Sequence, residues 1–113
     1  MGCKLINLEE GRPTVNQGLL RLERALADAR SNGTNLVKLI HGYGSTGEGG
    51  RMKPEVWKVL DRYKRHGMIE DFIPGEEFRL SNEATWELVK RDKSIKQDSD
   101  LGRGNRGITI VVL

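Results

Sequence analysis

The chain has 113 residues, of which 36% are hydrophobic and 31% charged, and this size and composition predict one small globular domain with a modest core. No apolar run approaches the roughly 18 residues of a membrane-spanning helix, so we expect a soluble protein without a membrane partner. The formal net charge of +3 permits a polyanionic partner without requiring one. Cys3 is the single cysteine, which excludes an internal disulfide and predicts a reducing, cytoplasmic location.

The first part of the chain predicts a strand, a helix and a second strand. Residues 4–8 form a short apolar run that is typical of a strand. Thr14 begins a capping-box pattern, and apolar residues then recur at spacings of three and four as far as Ala29, which predicts a helix. The aliphatic run Leu36–Ile40 is too short for a helix and predicts a buried strand. A strand–helix–strand unit of this length predicts parallel pairing with a right-handed crossover.

The second part predicts two more helices and two more strands. Pro54 suits the first turn of a helix that ends near residues 66–67, and residues 68–73 predict a third strand. Ser81 or Asn82 is expected to cap a third helix, and the polar stretch 90–106 is expected to be a mobile loop. Residues 108–113 predict the last strand.

The order of these elements predicts an α/β fold in a single domain over residues 1–113. We expect a two-layer sandwich in which a four-stranded mixed sheet packs against two main helices. The third helix falls in a helical and loop insertion, 76–106, before the last strand.

The glycine-rich run after His41 is the strongest functional signal in the sequence. It covers residues 42–50, between a predicted strand and a predicted helix. Glycines allow positive φ and a close approach of the backbone to a ligand. Free amides at the start of a helix, together with its dipole, favour an anion. His41 lies at the strand end, where a histidine can donate to phosphate or act as a general acid or base.

Several interpretations of this run remain open. It matches the G-x-G-x-x-G pattern of dinucleotide sites, but it follows the second strand of a chain too short for a dinucleotide-binding fold. A Walker A loop is excluded because no Gly-Lys-Ser/Thr follows. A structural connector with a capping histidine is the plainest alternative. Binding of a phosphate backbone is favoured by the segment from Arg51 to Arg65, whose six basic and two acidic residues give a charge of +4.

Metal chemistry has a weaker basis in the sequence. No Cys, His and carboxylate spacing is typical of a closed metal site. Glu9, Glu10 and Glu48 are candidate ligands for Mg²⁺, since hard cations prefer carboxylates. We therefore predict no cofactor unless the protein is catalytic, in which case Mg²⁺ or Mn²⁺ would serve.

Taken together, the sequence resembles the Smr (small MutS-related) domain family. The resemblance lies in the first strand and helix, in the strand ending His41-Gly42-Tyr43-Gly44, and in the final strand 107–113. It implies an α/β sandwich that binds branched or single-stranded DNA or RNA, and some members cleave their substrate. It also implies that His41, Gly42 and Gly44 act in that binding.

The chain departs from the family pattern in its first strand. Members usually end this strand with Leu-Asp-x-His-Gly, whereas Asn7 and Glu9 occupy the Asp and His positions here. We expect a divergent, free-standing member in which a nuclease activity would use His41 and Glu9 as the catalytic pair. A third alternative is a protein-interaction module built on residues 76–106. The residues predicted to contact nucleic acid are His41, Gly42, Tyr43, Gly44, Ser45, Gly47, Arg51, Lys53, Lys58 and Arg62.

Overall fold

The computed structural model describes residues 3–43 and 49–113. In this part of the chain, strands and α-helices follow one another in the predicted order, and the α/β sandwich with a four-stranded mixed sheet is confirmed. No helix in this part is long and apolar enough to cross a membrane. The elements are β1 (Lys4–Asn7), α1 (Val15–Ser31), β2 (Leu36–Ile40), α2 (Gly49–Arg65), β3 (Asp71–Pro74), α3 (Glu83–Arg91) and β4 (Ile108–Val112).

The helix starts follow from local chemistry. The hydroxyl of Thr14 accepts from the amide of Gln17 at 3.2 Å, and the Gln17 side chain accepts from the amide of Thr14 at 2.9 Å, so the predicted capping box is present. The helix α2 begins at Gly49, which puts Pro54 inside the helix and not in its first turn. The glycines preceding Pro54 therefore take helical conformation as well, and the prediction of the helix start was wrong by several residues.

The sheet brings one end of every strand to a common edge. Its order is β1-β2-β4-β3, with β1 and β2 parallel as predicted and β4 antiparallel to both of its neighbours. The carboxyl ends of β1, β2 and β3 therefore meet the amino end of β4. We call this side the carboxyl edge, and it carries residues 8–13, 41–43, 75–77 and 105–107. The helix α2 also begins at this edge and runs away from it.

Alternate residues of the strands pack into two separate apolar cores. Val37 and Leu39 of β2 pack in one cluster with residues of α1 and α2. Leu36 of β2 and Ile110 of β4 pack in a second cluster with residues of α3 and its flanking turns. The two-residue period of a strand produces this division. The third helix therefore covers the second face of the sheet, a role that its sequence did not indicate.

A charged cluster holds the segment predicted to be a mobile loop. The Nζ of Lys38, in the central strand β2, lies 2.7 Å from Asp98 and 2.6 Å from Asp100. The Lys38 side chain is only 12% exposed. Residues Lys93–Gln97 form a short 3-10 helix whose Ile95 enters the second core. The segment is thus anchored at two points, by an ionic contact and by an apolar one.

Candidate functional site at the carboxyl edge

The turn after β1 is tied to the neighbouring strand and to α1. The amide of Leu8 donates to the carbonyl of Ile40 at 2.9 Å. The Arg21 guanidinium donates to the Glu10 carbonyl at 2.8 Å and reaches the carbonyls of the two residues at the end of the strand. The side chain of Asn7 accepts from the amide of Glu9 at 2.9 Å. Asn7 therefore shapes the turn, and its amide oxygen is engaged within it.

His41 lies inside the protein at the end of β2. Its exposed fraction is 0%, and both ring nitrogens have partners. Nδ1 lies 2.7 Å from the carbonyl of Gly42, and Nε2 lies 2.8 Å from the hydroxyl of Thr109 in β4. The indole Nε1 of Trp57, in α2, donates to the same hydroxyl at 3.0 Å. We call these three side chains the histidine relay.

The carbonyl partner of His41 fixes one proton of the ring. A carbonyl only accepts, so Nδ1 carries a proton, and in the neutral ring Nε2 accepts from the Thr109 hydroxyl. That hydroxyl accepts in turn from Trp57. Burial lowers the pKa of His41, and the positive charge of Lys53 adds to this effect. The imidazole is therefore neutral, and this geometry does not support its predicted contact with phosphate or its use as a general base.

Gly42 and Glu9 meet at the centre of the edge. Gly42 has φ +70°, and a Cβ atom at this position would lie 2.6 Å from both carboxylate oxygens of Glu9. The amides of His41 and Gly42 both donate to the carbonyl of Gly107, at 2.9 and 3.1 Å. The start of the glycine-rich loop is therefore held by β4 on one side and lies against a carboxylate on the other.

The predicted basic residues of α2 divide into two groups. Lys53 is only 13% exposed, because its Nζ pairs with Glu76 at 2.9 Å and lies 4.8 Å from the centre of the Trp57 ring. Arg51, Lys58 and Arg62 are exposed on a common face of the helix, which we call the basic stripe. Lys58 is paired with Glu55 at 3.2 Å on the same surface.

The rest of the predicted site is only partly described. Tyr43 is 55% exposed at the edge. Gly44, Ser45, Gly47 and Glu48 lie outside the described residues. Within residues 3–43 and 49–113, no three His, Cys, Asp or Glu side chains are grouped so that they could hold a metal ion. The proposed use of Glu48 with Glu9 and Glu10 as metal ligands is therefore not tested by this finding.

Sequence reasoning missed the side chains that organise the edge. Thr109 is a hydroxyl at an inward position of an aliphatic strand, and that contrast was the available signal. The sequence gives no comparable signal for Trp57 or Glu76, because the roles of these residues depend on contacts between α2, β4 and the turn after β3. Arg106, beside the Gly107 carbonyl that receives both amides, lies in a stretch that we expected to be mobile.

Comparison with known proteins points to one family. The model of the Smr domain matches residues 11–78 of this chain. Among solved structures, the chain is similar to the crystal structure of the Smr domain of Thermus thermophilus MutS2, with a TM-score of 0.60 and 25% sequence identity. That match covers 97% of this chain and 96% of the other, so it extends through the region beyond residue 78. A comparison with functionally curated proteins finds no significant match.

Proposed function

This chain belongs to the Smr domain family, and from that premise we propose that it is a nucleic-acid-binding domain that holds a phosphate backbone at the carboxyl edge. The partner is DNA or RNA, and no membrane is involved. We assign the phosphate contacts to the amides of Gly44, Ser45 and Gly47, because glycine permits close contact and amides are donors. Gly42 contributes through its backbone conformation, since its own amide donates to the Gly107 carbonyl.

The observation that carries this proposal is the position of the basic stripe. The helix α2 begins at the carboxyl edge, and its exposed face presents Arg51, Lys58 and Arg62. From Arg51 to Arg62 the stripe extends about 16 Å along the helix, at 1.5 Å per residue. A chain of phosphates leaving the loop would thus meet further positive charge along one line, and each neutralised phosphate adds salt-dependent affinity.

His41 has a positioning role in this proposal. Its Nδ1–H holds the Gly42 carbonyl, while its backbone amide and that of Gly42 bind the Gly107 carbonyl. The relay therefore fixes the direction in which the glycine-rich loop leaves the sheet. Lys53 pairs with Glu76 and is covered by Trp57. It therefore contributes to the packing of the carboxyl edge and is not assigned as a phosphate contact.

Cleavage through His41 and Glu9 has less physical support than binding. A general base needs a ring nitrogen that can accept the proton of the attacking water. The only accepting nitrogen of His41 is engaged with Thr109 in the interior. Glu9 would bring negative charge towards a phosphate, which is repulsive without a cation. We therefore propose binding without hydrolysis.

A binding assay on the full chain tests the proposal. Fluorescently labelled single-stranded RNA, single-stranded DNA and branched DNA are titrated with protein between about 50 and 200 mM salt. We expect salt-dependent binding, and we expect the triple substitution Arg51→Gln, Lys58→Gln and Arg62→Gln to reduce the log–log salt slope by about 2, at roughly 0.7 per lost single-strand phosphate contact. The control replaces three exposed bases elsewhere, Arg30, Lys90 and Lys93, by Gln.

Two outcomes would overturn the proposal. One is the absence of binding to all three nucleic acids at low salt. The other is binding that both triple variants reduce equally. The same samples are incubated with Mg²⁺ and with Mn²⁺, and cleavage that disappears in Glu9→Gln would restore the enzymatic alternative.

A further inference from the structure

We propose that the loop 101–107, through Arg103 and Arg106, is a second phosphate-contacting element at the carboxyl edge, so that a single strand lies along this arginine loop and the adjoining residues Gly42 and Tyr43. The inference rests on the proposed function and names two contact residues and a strand type for the same site. Three properties of the loop 101–107 support it: its position, its ordered backbone and its positive charge.

The arginine loop adjoins the glycine-rich loop directly. The Gly107 carbonyl receives the amides of both His41 and Gly42. A Cβ atom at Gly107 would lie 3.6 Å from Cδ1 of Tyr43, so the tyrosine ring lies against the backbone where the arginine loop joins β4. Arg106 is the preceding residue. The backbone of Arg106 therefore lies one residue from the point of contact with Tyr43.

The arginine loop is ordered by contacts on both sides. The amide of Gly102 donates to the carbonyl of Phe78 at 2.8 Å. The side chain of Asn105 donates to Asp100 at 3.0 Å and accepts from the amide of Gly107 at 2.9 Å. Gly75 lies so close to the Asn105 carbonyl that a Cβ atom would overlap it. A loop fixed before binding loses less conformational entropy when the ligand arrives.

Three acidic side chains near the loop already have cationic partners. Asp98 and Asp100 pair with Lys38, and Glu76 pairs with Lys53. Burial would raise the pKa of Glu76, but the hydrogen bond from Lys53, a backbone hydrogen bond and the charge of Lys53 outweigh this effect and lower it, with the smallest contribution from the charge of Arg106. Within residues 3–43 and 49–113, neither Arg103 nor Arg106 has an ion pair or a side-chain hydrogen bond. Both are exposed, so their positive charge is available to a ligand.

The chemistry of the edge favours an unpaired strand. Tyr43 is 55% exposed, and its ring lies against the backbone of Gly107. Stacking of a base on an aromatic side chain requires a base that is not already paired. With Tyr43 stacking a base, the phosphates on either side would face the arginine loop and the start of the basic stripe. The ligand assigned to the edge is therefore single-stranded nucleic acid.

The test compares two double variants on the full chain. Arg103→Gln with Arg106→Gln removes the charge of the arginine loop. Arg30→Gln with Arg65→Gln removes the same charge at the ends of α1 and α2, on the opposite side of the sheet. The measurement is the dissociation constant of a labelled single-stranded oligonucleotide across the salt range, and of a blunt duplex of the same sequence. Amide spectra of each variant show whether the fold is retained.

We expect the arginine-loop variant to bind the single strand roughly tenfold more weakly, and its salt slope to fall by about 1.4, for two phosphate contacts. The control should change the affinity less than twofold, by the same electrostatic reasoning. Arg103→Lys with Arg106→Lys should restore most of the affinity, since the contact requires charge at that position. The wild-type protein should prefer the single strand to the duplex.

The inference and the proposed function fail in different ways. If the wild-type protein binds but the two double variants are equally affected, or if it prefers the duplex, the second contact element is wrong and binding at the edge stands. If the wild-type protein binds no nucleic acid at low salt, both are wrong. If the lysine variant does not recover affinity although its spectrum is native, the contact is not one of simple charge, and the proposed phosphate contact is overturned.

Discussion

The two faces of the sheet hold their loops by different physical means. On the face covered by α1 and α2, the histidine relay connects α2, β4 and the glycine-rich loop through neutral hydrogen bonds. On the face covered by α3, the charge of Lys38 holds Asp98 and Asp100, and Asp100 holds Asn105. Both chains of contacts end at Gly107, where the two loops of the carboxyl edge meet. One site is thus supported by a neutral network and by an ionic one.

The two networks should respond differently to pH. Burial opposes a charge on Lys38, but its hydrogen bonds to Asp100 and Asp98 outweigh this effect and raise the pKa of Lys38. Burial likewise opposes ionisation of Asp100, and bonds from Asn105 and Lys38 lower its pKa. A lowered carboxyl pKa contributes stability that is present above the ordinary value of about 3.9 and is lost below it. The ionic network therefore persists through the pH range in which a histidine titrates.

Removing the cation from the ionic network should have the largest effect on stability. Lys38→Met leaves two largely buried carboxylates facing each other without a counter-charge. We expect the free energy of unfolding to fall by about 3 kcal/mol, at the lower end for a buried pair because the side chains keep some solvent contact. Chemical denaturation measures it. Lys4→Met is the control, since Lys4 is a more exposed strand lysine paired with Asp28 at 3.6 Å, and equal losses in the two variants would refute the ionic network.

Interrupting the neutral network should cost less. Thr109→Val preserves the shape of the residue but leaves Nε2 of His41 and the indole N–H of Trp57 without partners. We expect a loss of about 2 kcal/mol for these buried polar groups. The indole proton of Trp57 should also exchange faster with solvent, and hydrogen-exchange NMR measures that rate. Thr34→Val, at a half-buried threonine after α1, is the matched control. A Thr109 variant as stable as this control would show that the relay contributes nothing.

A comparison of alanine variants at two glycines of equal conformation distinguishes the cost of backbone strain from the cost of crowding at the carboxyl edge. Gly42 and Gly33 have φ +70° and +71°, but only Gly42 has a neighbour, Glu9, within contact distance of an added Cβ. Both alanine variants pay roughly 1 kcal/mol for positive φ, and Gly42→Ala should lose about 1 kcal/mol more. Adding Glu9→Ala should remove the extra loss. Identical stabilities for the two single variants would mean that Glu9 does not lie against Gly42.

Acidification gives a further contrast between the two networks. The folded-state pKa of His41 lies below its unfolded value of about 6.5, so the unfolded chain takes up a proton first and stability falls as the pH drops below that value. In His41→Gln, the dependence of the unfolding free energy on pH between about 5 and 6.5 should weaken by up to about 1.4 kcal/mol per pH unit. An unchanged pH dependence in His41→Gln would contradict the buried state of His41.

The comparison of the faces also shows what the sequence alone can predict. The capping box and the apolar stripe of α1 follow from local sequence patterns, the parallel pairing of β1 with β2 follows from the strand–helix–strand order, and all three were predicted. The second face depends on contacts between distant residues. Lys38 is separated from Asp100 by 62 positions, and no local pattern marks a strand lysine as the partner of a loop aspartate.

The sequence predicts that His41 follows the end of a strand, and the structure places it directly after β2. The role of the imidazole depends on Thr109 and Trp57, which approach it from β4 and α2 only after folding. A histidine at the end of a buried strand is as well suited to fixing a loop as to meeting a ligand, and its hydrogen-bond partners decide between the two.

The most direct test of the central claim is an amide spectrum of the full chain titrated with a short single-stranded oligonucleotide at low salt. The account predicts that the largest changes fall on Gly42, Tyr43, Arg106 and Gly107 and on the first turns of α2, while the ring of His41 keeps its neutral Nδ1–H form. Changes confined to α1 or α3, or a His41 ring that becomes charged on binding, would contradict it.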